Sequence, residues 1–167
     1  KMRIKKYNPS SLNKVKLNNK TINIIDINYN ERLMFTKINS KSKKYITNCF
    51  ETSFKILKYG ITDKFINGPI SKTSFLKKKF LGITEYLEKK TGAKKSAMLI
   101  YNKKLSVCPI TTHMPLKSVA KNISKKKIIE KVILINNFYK KIMGFSPKIA
   151  LLGLNPHCES VDKFNED

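Results

Sequence analysis

The run Lys148 to Leu154, "KIALLGL", constrains the fold more than any other stretch of the chain. From Ile149 to Leu154 no polar side chain interrupts it. A strand with one wet face alternates apolar with polar residues, whereas a strand covered on both faces reads as continuous apolar sequence. Such strands belong to parallel sheets with helices on both sides. The run breaks at once into Asn155-Pro156-His157. A second apolar run, "LSVCPITT", breaks in the same way into His113, with Pro115 close behind. These are the chain's two histidines, each placed at the end of a buried-looking strand.

The rest of the chain supplies helices to cover such strands. Ile46, Cys49, Phe50, Phe54 and Leu57 recur at helical spacing, and Gly60 stands where a helix stops. "TEYLEKKTG" predicts a short helix capped by Thr84 and ended by Gly92. Pro115 opens a helix through Asn122, and Ser124 caps a longer one. In that longer helix Ile128, Ile129, Val132, Ile135 and Phe138 face inward until Gly144. "KMRIKKYN" and "TINIIDINYN" suggest strands near the start, and "DKFINGPISK" a short buried strand broken at Gly68-Pro69. "SAMLIYN" and "LSVCPITT", joined by Asn102-Lys103-Lys104, predict an antiparallel hairpin. The expected fold is α/β, a mostly parallel sheet with flanking helices and one hairpin, forming a single lobe over residues 1–167. The chain opens on Lys1 and ends abruptly at "NED", and reads as a piece of something longer.

Length and composition suit a globular core: 167 residues, 41% of them hydrophobic. The formal net charge of +24 raises the question of a polyanion partner. Two observations speak against one. Among 35 basic residues only Arg3 and Arg32 are arginine, the residue suited to bidentate phosphate and base contacts. The lysines are also scattered, with short clusters such as Lys77-Lys78-Lys79 and Lys125-Lys126-Lys127. A solvated lysine surface is expected, with a basic nucleic-acid-binding module as the alternative. Cys49, Cys108 and Cys158 are odd in number and lack a CxxC, which suits reduced thiols in a cytoplasmic protein. Neither a signal peptide nor an apolar run of membrane-spanning length is visible.

In open α/β sheets, ligands bind beyond the carboxyl ends of the strands. Three such ends carry unusual residues: "NGPISK" at Asn67–Lys72, Thr111-Thr112-His113, and Gly153–His157. If the strands are neighbours, His113 and His157 share one site. Neutral imidazole suits zinc, iron, cobalt or nickel, but a metal needs a third protein ligand. Glu159 and Asp162 are candidates for it, both in a tail-like stretch. The plainer alternative is a pair of unconnected loop histidines. Lys72, after "GPIS", can reach an anion or a carbonyl, or serve as an ordinary surface lysine. No GxGxxG or P-loop occurs.

"NGPISK", "GITEYLEKKTG", "LSVCPITTHMPLKSVAKNIS" and "KIALLGLNPHCES" together resemble the 4-hydroxythreonine-4-phosphate dehydrogenase family. The order and spacing match from about Ser40 onward, with "TTHxPL" and "GLNPH" the most specific elements. The resemblance implies an isopropylmalate-dehydrogenase-like fold, of which this chain would be one lobe of a longer two-domain enzyme. It also implies a homodimer with a divalent metal (zinc, magnesium or cobalt) at the interface, and NAD or NADP as oxidant. The metal-ligand histidines fall on His113 and His157, and the third ligand belongs to an "HDQG" segment further along the family's chain. Where the family has Gly-His-Thr-Glu, this sequence has Gly82-Ile83-Thr84-Glu85. The substrate-contacting pair thus becomes Ile83 and Thr84, and Ile83 can neither donate nor accept a hydrogen bond. The implied chemistry is oxidation of the secondary alcohol of 4-phosphooxy-threonine and decarboxylation of the β-keto acid, in pyridoxal phosphate biosynthesis. Related family members act on other phosphorylated hydroxy acids and on dihydrodiols, which the change at Ile83 keeps open. Ile83 is expected to face the same cleft as His113. The general base is not assigned beyond the candidate Lys72.

Overall fold

The structure, a computed structural model, describes residues 3–29, 37–77 and 79–155. It is a mixed α/β protein, with a small parallel sheet and helices. The chain divides into two compact units, Lys1–Thr91 and Gly92–Asp167.

The first unit begins with strands β1 (Arg3–Tyr7) and β2 (Thr21–Ile25), paired in parallel with Arg3 opposite Thr21 and Tyr7 opposite Ile25. A parallel pair needs a long crossover, supplied here by a segment containing a short 3₁₀ turn at Pro9–Lys14. Leu12 on that turn is buried. Helix α1 (Ser40–Lys58) follows, and its start is built from local chemistry. Asn39 accepts a hydrogen bond from the Ser42 amide at 2.9 Å, and the Asn39 amide donates back to Ser42 Oγ at 3.1 Å. Gly60, at φ 68°, takes the left-handed conformation just past the end that only glycine adopts without strain.

Two shorter helices close on α1: α2 (Lys72–Leu76), capped by Ser71, and α3 (Ile83–Thr91). Phe50 of α1 is the hub. It stacks on Phe75 at 5.1 Å between ring centroids and meets Tyr86 edge-on at 5.4 Å. Leu76 and Tyr86 are buried beside it, and Ile46, Phe54, Phe65 and Ile70 pack around them. Truncating such a buried phenylalanine removes about 3–5 kcal/mol.

In the second unit the ends of "SAMLIYN" and "LSVCPITT" meet through one antiparallel bridge, Ile100 to Val107, with both hydrogen bonds formed at 2.8 and 3.0 Å. A 3₁₀ turn at Leu116–Ser118 leads into α4 (Val119–Asn122) and α5 (Lys125–Phe138), which Ser124 caps. One π-helical turn, Tyr139–Met143, extends α5 to Gly144. Tyr139 is buried and donates to Ser106 Oγ at 2.9 Å, tying the helix to the turn beyond the bridge.

Several expectations are corrected here. Among the described residues the sheet has two parallel strands, both within the first 25 residues, and His113 follows no strand. "KIALLGL" forms no ladder, and Leu152 is 94% exposed. "DKFINGPISK" is irregular: Phe65 and Ile70 pack on the core while Ile66 is 95% exposed. The hairpin shrinks to its single bridge. Strand character depends on a partner backbone, and among the described residues none pairs with "KIALLGL" or "DKFINGPISK". Thr84 lies within the first turn of α3 rather than capping it, and Ile129 and Phe138 are exposed at 45% and 40%.

Candidate functional site

Each candidate residue owes its position to a local element. Lys72 is the first residue of α2, exposed, one place after the capping Ser71, whose Oγ accepts from the Ser74 amide at 3.3 Å. Thr84 stands in the first turn of α3, partly buried. Because α2 supplies Phe75 and Leu76 and α3 supplies Ile83, Tyr86 and Leu87 to one core, the starts of both helices are fixed to the same unit.

Ile83 is corrected by that core. It packs, partly buried, against the cluster of Phe50, Leu76 and Tyr86, so the expectation that it turns towards a ligand gives way to packing. An isoleucine gains more from apolar burial than from any polar cleft. Thr84 is the polar member of the pair.

In the second unit His113 stands in a bend, exposed, with φ 51°. Left-handed backbone is uncommon for a residue with a Cβ and costs roughly 1–2 kcal/mol. Strain of this kind concentrates where a side chain must be aimed. The imidazole makes no hydrogen bond among the described residues. It follows an irregular stretch, Cys108–Thr112, rather than the tip of a strand. His157 lies outside the described residues, as do Glu159, Asp162 and Cys158.

As for a metal, among the described residues no three His, Cys, Asp or Glu side chains gather into a cluster. His113 alone of the proposed ligands is placed there, so its donor chemistry fits a divalent cation while the set around it is partial. Cys108 is partly buried; desolvation pushes its thiol up, opposed by the Lys131 ammonium. That suits a packing cysteine rather than a nucleophile. A cleft of about 340 Å³ between Pro9, Ser10, Leu12, Lys55, Lys58 and Tyr59 contains none of the predicted site residues.

Sequence reasoning passed over Glu85. Its Oε2 is buried and has no hydrogen-bond partner among the described residues. The signal was its place beside Thr84 in the "GITE" stretch.

Comparison with known proteins matches residues 1–165 to the family described as "Pyridoxal phosphate biosynthetic protein PdxA". The chain belongs to the PdxA family. A 4-hydroxythreonine-4-phosphate dehydrogenase of Sulfurihydrogenibium is 52% identical over 99 residues, 58% of this chain and 31% of the relative. The enzyme of that name from Aquifex aeolicus is 41% identical over 86 residues, covering 52% of this chain and 27% of the relative. The one from Bacteroides thetaiotaomicron is 31% identical over 131 residues, 76% of this chain and 36% of the relative. The chain thus spans about a third of the length of the PdxA relatives it matches. No helix among the described residues is long and apolar enough to cross a membrane.

Proposed function

We propose that this chain is part of a dehydrogenase that oxidises the secondary alcohol of 4-phosphooxy-threonine with NAD, or NADP, followed by decarboxylation, in pyridoxal phosphate biosynthesis. The observation that carries the reading is the family match over residues 1–165, with relatives named for that activity. In this reading His113 and His157 supply two ligands of a divalent metal. Imidazole donors favour zinc or cobalt over magnesium, which prefers oxygen. When bound, such a cation lowers the pKa of a substrate hydroxyl and polarises the ketone that replaces it.

The chain's own residues have narrower tasks. His113 offers an imidazole held outward by its left-handed backbone. Thr84 offers a hydroxyl that can both donate to and accept from the substrate. Lys72 is the candidate for proton transfer or for contact with an anionic group. Ile83 packs on the core beneath α3. The wider assignments are an isopropylmalate-dehydrogenase-like fold, one lobe of a two-domain enzyme, a homodimer with its site at the interface, and a cytoplasmic location. Because the chain spans about a third of its relatives, it would be inactive alone.

A chimera tests this. Residues 1–165 replace the matching part of the Sulfurihydrogenibium enzyme, and NADH formation from 4-phosphooxy-threonine is followed at controlled metal concentration. Turnover that needs a divalent metal and drops at least about 100-fold in His113→Ala is expected. A folded chimera that turns over equally well with and without His113 overturns the assignment.

A further inference from the structure

Every residue from Lys148 to Leu154 is exposed. Ile149 and Leu151 stand at one phase of a two-residue period, at 39% and 64% exposure, and Leu152 and Leu154 at the other, the latter at 50%. The run is therefore bare on both of the faces it would present as a strand. Its edges are bare as well: among the described residues no ladder or bridge includes it. A strand apolar on both faces belongs inside a sheet with helices on each side, and only burial relieves the cost of holding it in water. The rest of the second unit shows the same lack. Tyr139 is its one buried hydrophobic side chain among the described residues, and Ile129 and Ile133, one turn apart on α5, are both exposed.

How much must be covered decides what covers it. A second copy of this chain, related by a two-fold axis, adds a strand to one edge and leaves the other edge open. It also brings a second charge of +24. The run needs a strand on each edge and a layer on each face. The relatives have the length to supply both, since this chain spans 31% of the Sulfurihydrogenibium enzyme and 36% of the Bacteroides one. We propose that Ile149–Leu154 is a docking strand for the remaining part of the enzyme, whose own strands pair with both of its edges and make it central in a sheet. The inference rests on the reading of this chain as part of a longer dehydrogenase and deepens it. Docking then also sets the position of Asn155-Pro156-His157, which follow directly in the sequence.

The test uses the chimera in which residues 1–165 replace the matching part of the Sulfurihydrogenibium enzyme. Hydrogen exchange of the Ile149–Leu154 amides is read by mass spectrometry in the chimera, and in this chain at several protein concentrations. Exchange at least about 100-fold slower in the chimera is expected, because amides of a paired central strand open only with the fold. Leu152→Ala is expected to lower the chimera's melting temperature by at least about 3 °C, as for a buried leucine. Exchange as fast in the chimera as in the chain overturns the inference, and so does a Leu152→Ala chimera that melts unchanged. Protection in the chain itself that rises with its concentration makes a second copy the occupant and also overturns it. NADH formation by the chimera reads the dehydrogenase assignment separately. Turnover with unprotected amides leaves that assignment standing and the docking strand refuted; protected amides without turnover do the reverse. Should the large exchange not fold, a graft of Lys148–Leu154 alone into the same enzyme carries the same measurement.

Discussion

His113 and Tyr86 show how differently two single residues are held. His113 is exposed and strained in its backbone, and the burial that would account for such strain is missing among the described residues. His113→Ala keeps the Cβ and therefore the strain, so stability should change by less than about 0.5 kcal/mol. Thermal melting checks this, and a larger loss would mean that the ring packs. Tyr86 is the opposite case, buried at 6% exposure between four aromatic neighbours. Burial pushes its phenol above the ordinary tyrosine range, and the Glu51 carboxylate adds to the push. A raised folded pKa means stability that is complete below the unfolded value of about 10 and is lost as pH rises through the folded one. Tyr86→Phe should therefore lose less stability than wild type above about pH 10, as read from urea melts across that range.

Among the elements, helices formed where the chain carries their ends. α1 has Asn39 and Ser42 at one end and Gly60 at the other, and Ser124 opens α5. Asn39→Ala removes the acceptor for the Ser42 amide and should cost about 1 kcal/mol, measured by denaturant titration. Strands behaved otherwise. β1 and β2 pair over five residues each, while the longer apolar run before Asn155 pairs with nothing described. The second unit is held instead by Tyr139 on Ser106, by Lys131 donating to the Ser96 carbonyl at 2.6 Å, and by one bridge. Side chains anchored to turns stand in for a ladder.

Across the whole molecule, charge outweighs every other surface property. Thirty-five basic residues face 11 acidic ones, and the described ion pairs, Lys6 with Asp26 and Lys95 with Glu130, lie at the surface or partly buried. Crowding is visible at Lys43, whose ammonium is held below the usual lysine range first by the Lys77 side chain, then by desolvation and by Lys79. Self-repulsion of this kind is screened over a Debye length of about 8–10 Å at physiological salt. The melting temperature should therefore rise as sodium chloride increases from about 10 to 150 mM. A fall over that range would show that attractive pairs outweigh repulsion. Only Arg3 and Arg32 among the basic residues are arginine, so the charge is carried almost wholly by lysine.

Helices, some of their ends and the family are legible in the order of the residues alone. Gly60, Ser124 and Gly144 act within a few residues of the backbone they serve, whereas the Asn39 cap of α1 goes unread there and Thr84 is misplaced as one. Which apolar residues had somewhere to go was settled by packing in three dimensions. Ile83 went to the core because Phe50, Leu76 and Tyr86 stood ready to receive it, while Leu152, as apolar in sequence, remained exposed. Glu85 became conspicuous for the same reason. Its identity was plain in the sequence, but the burial of its Oε2 without a partner among the described residues is a product of the fold. Capping is local, whereas burial and pairing need a partner brought from elsewhere in the chain, and that partner exists only once the fold is made.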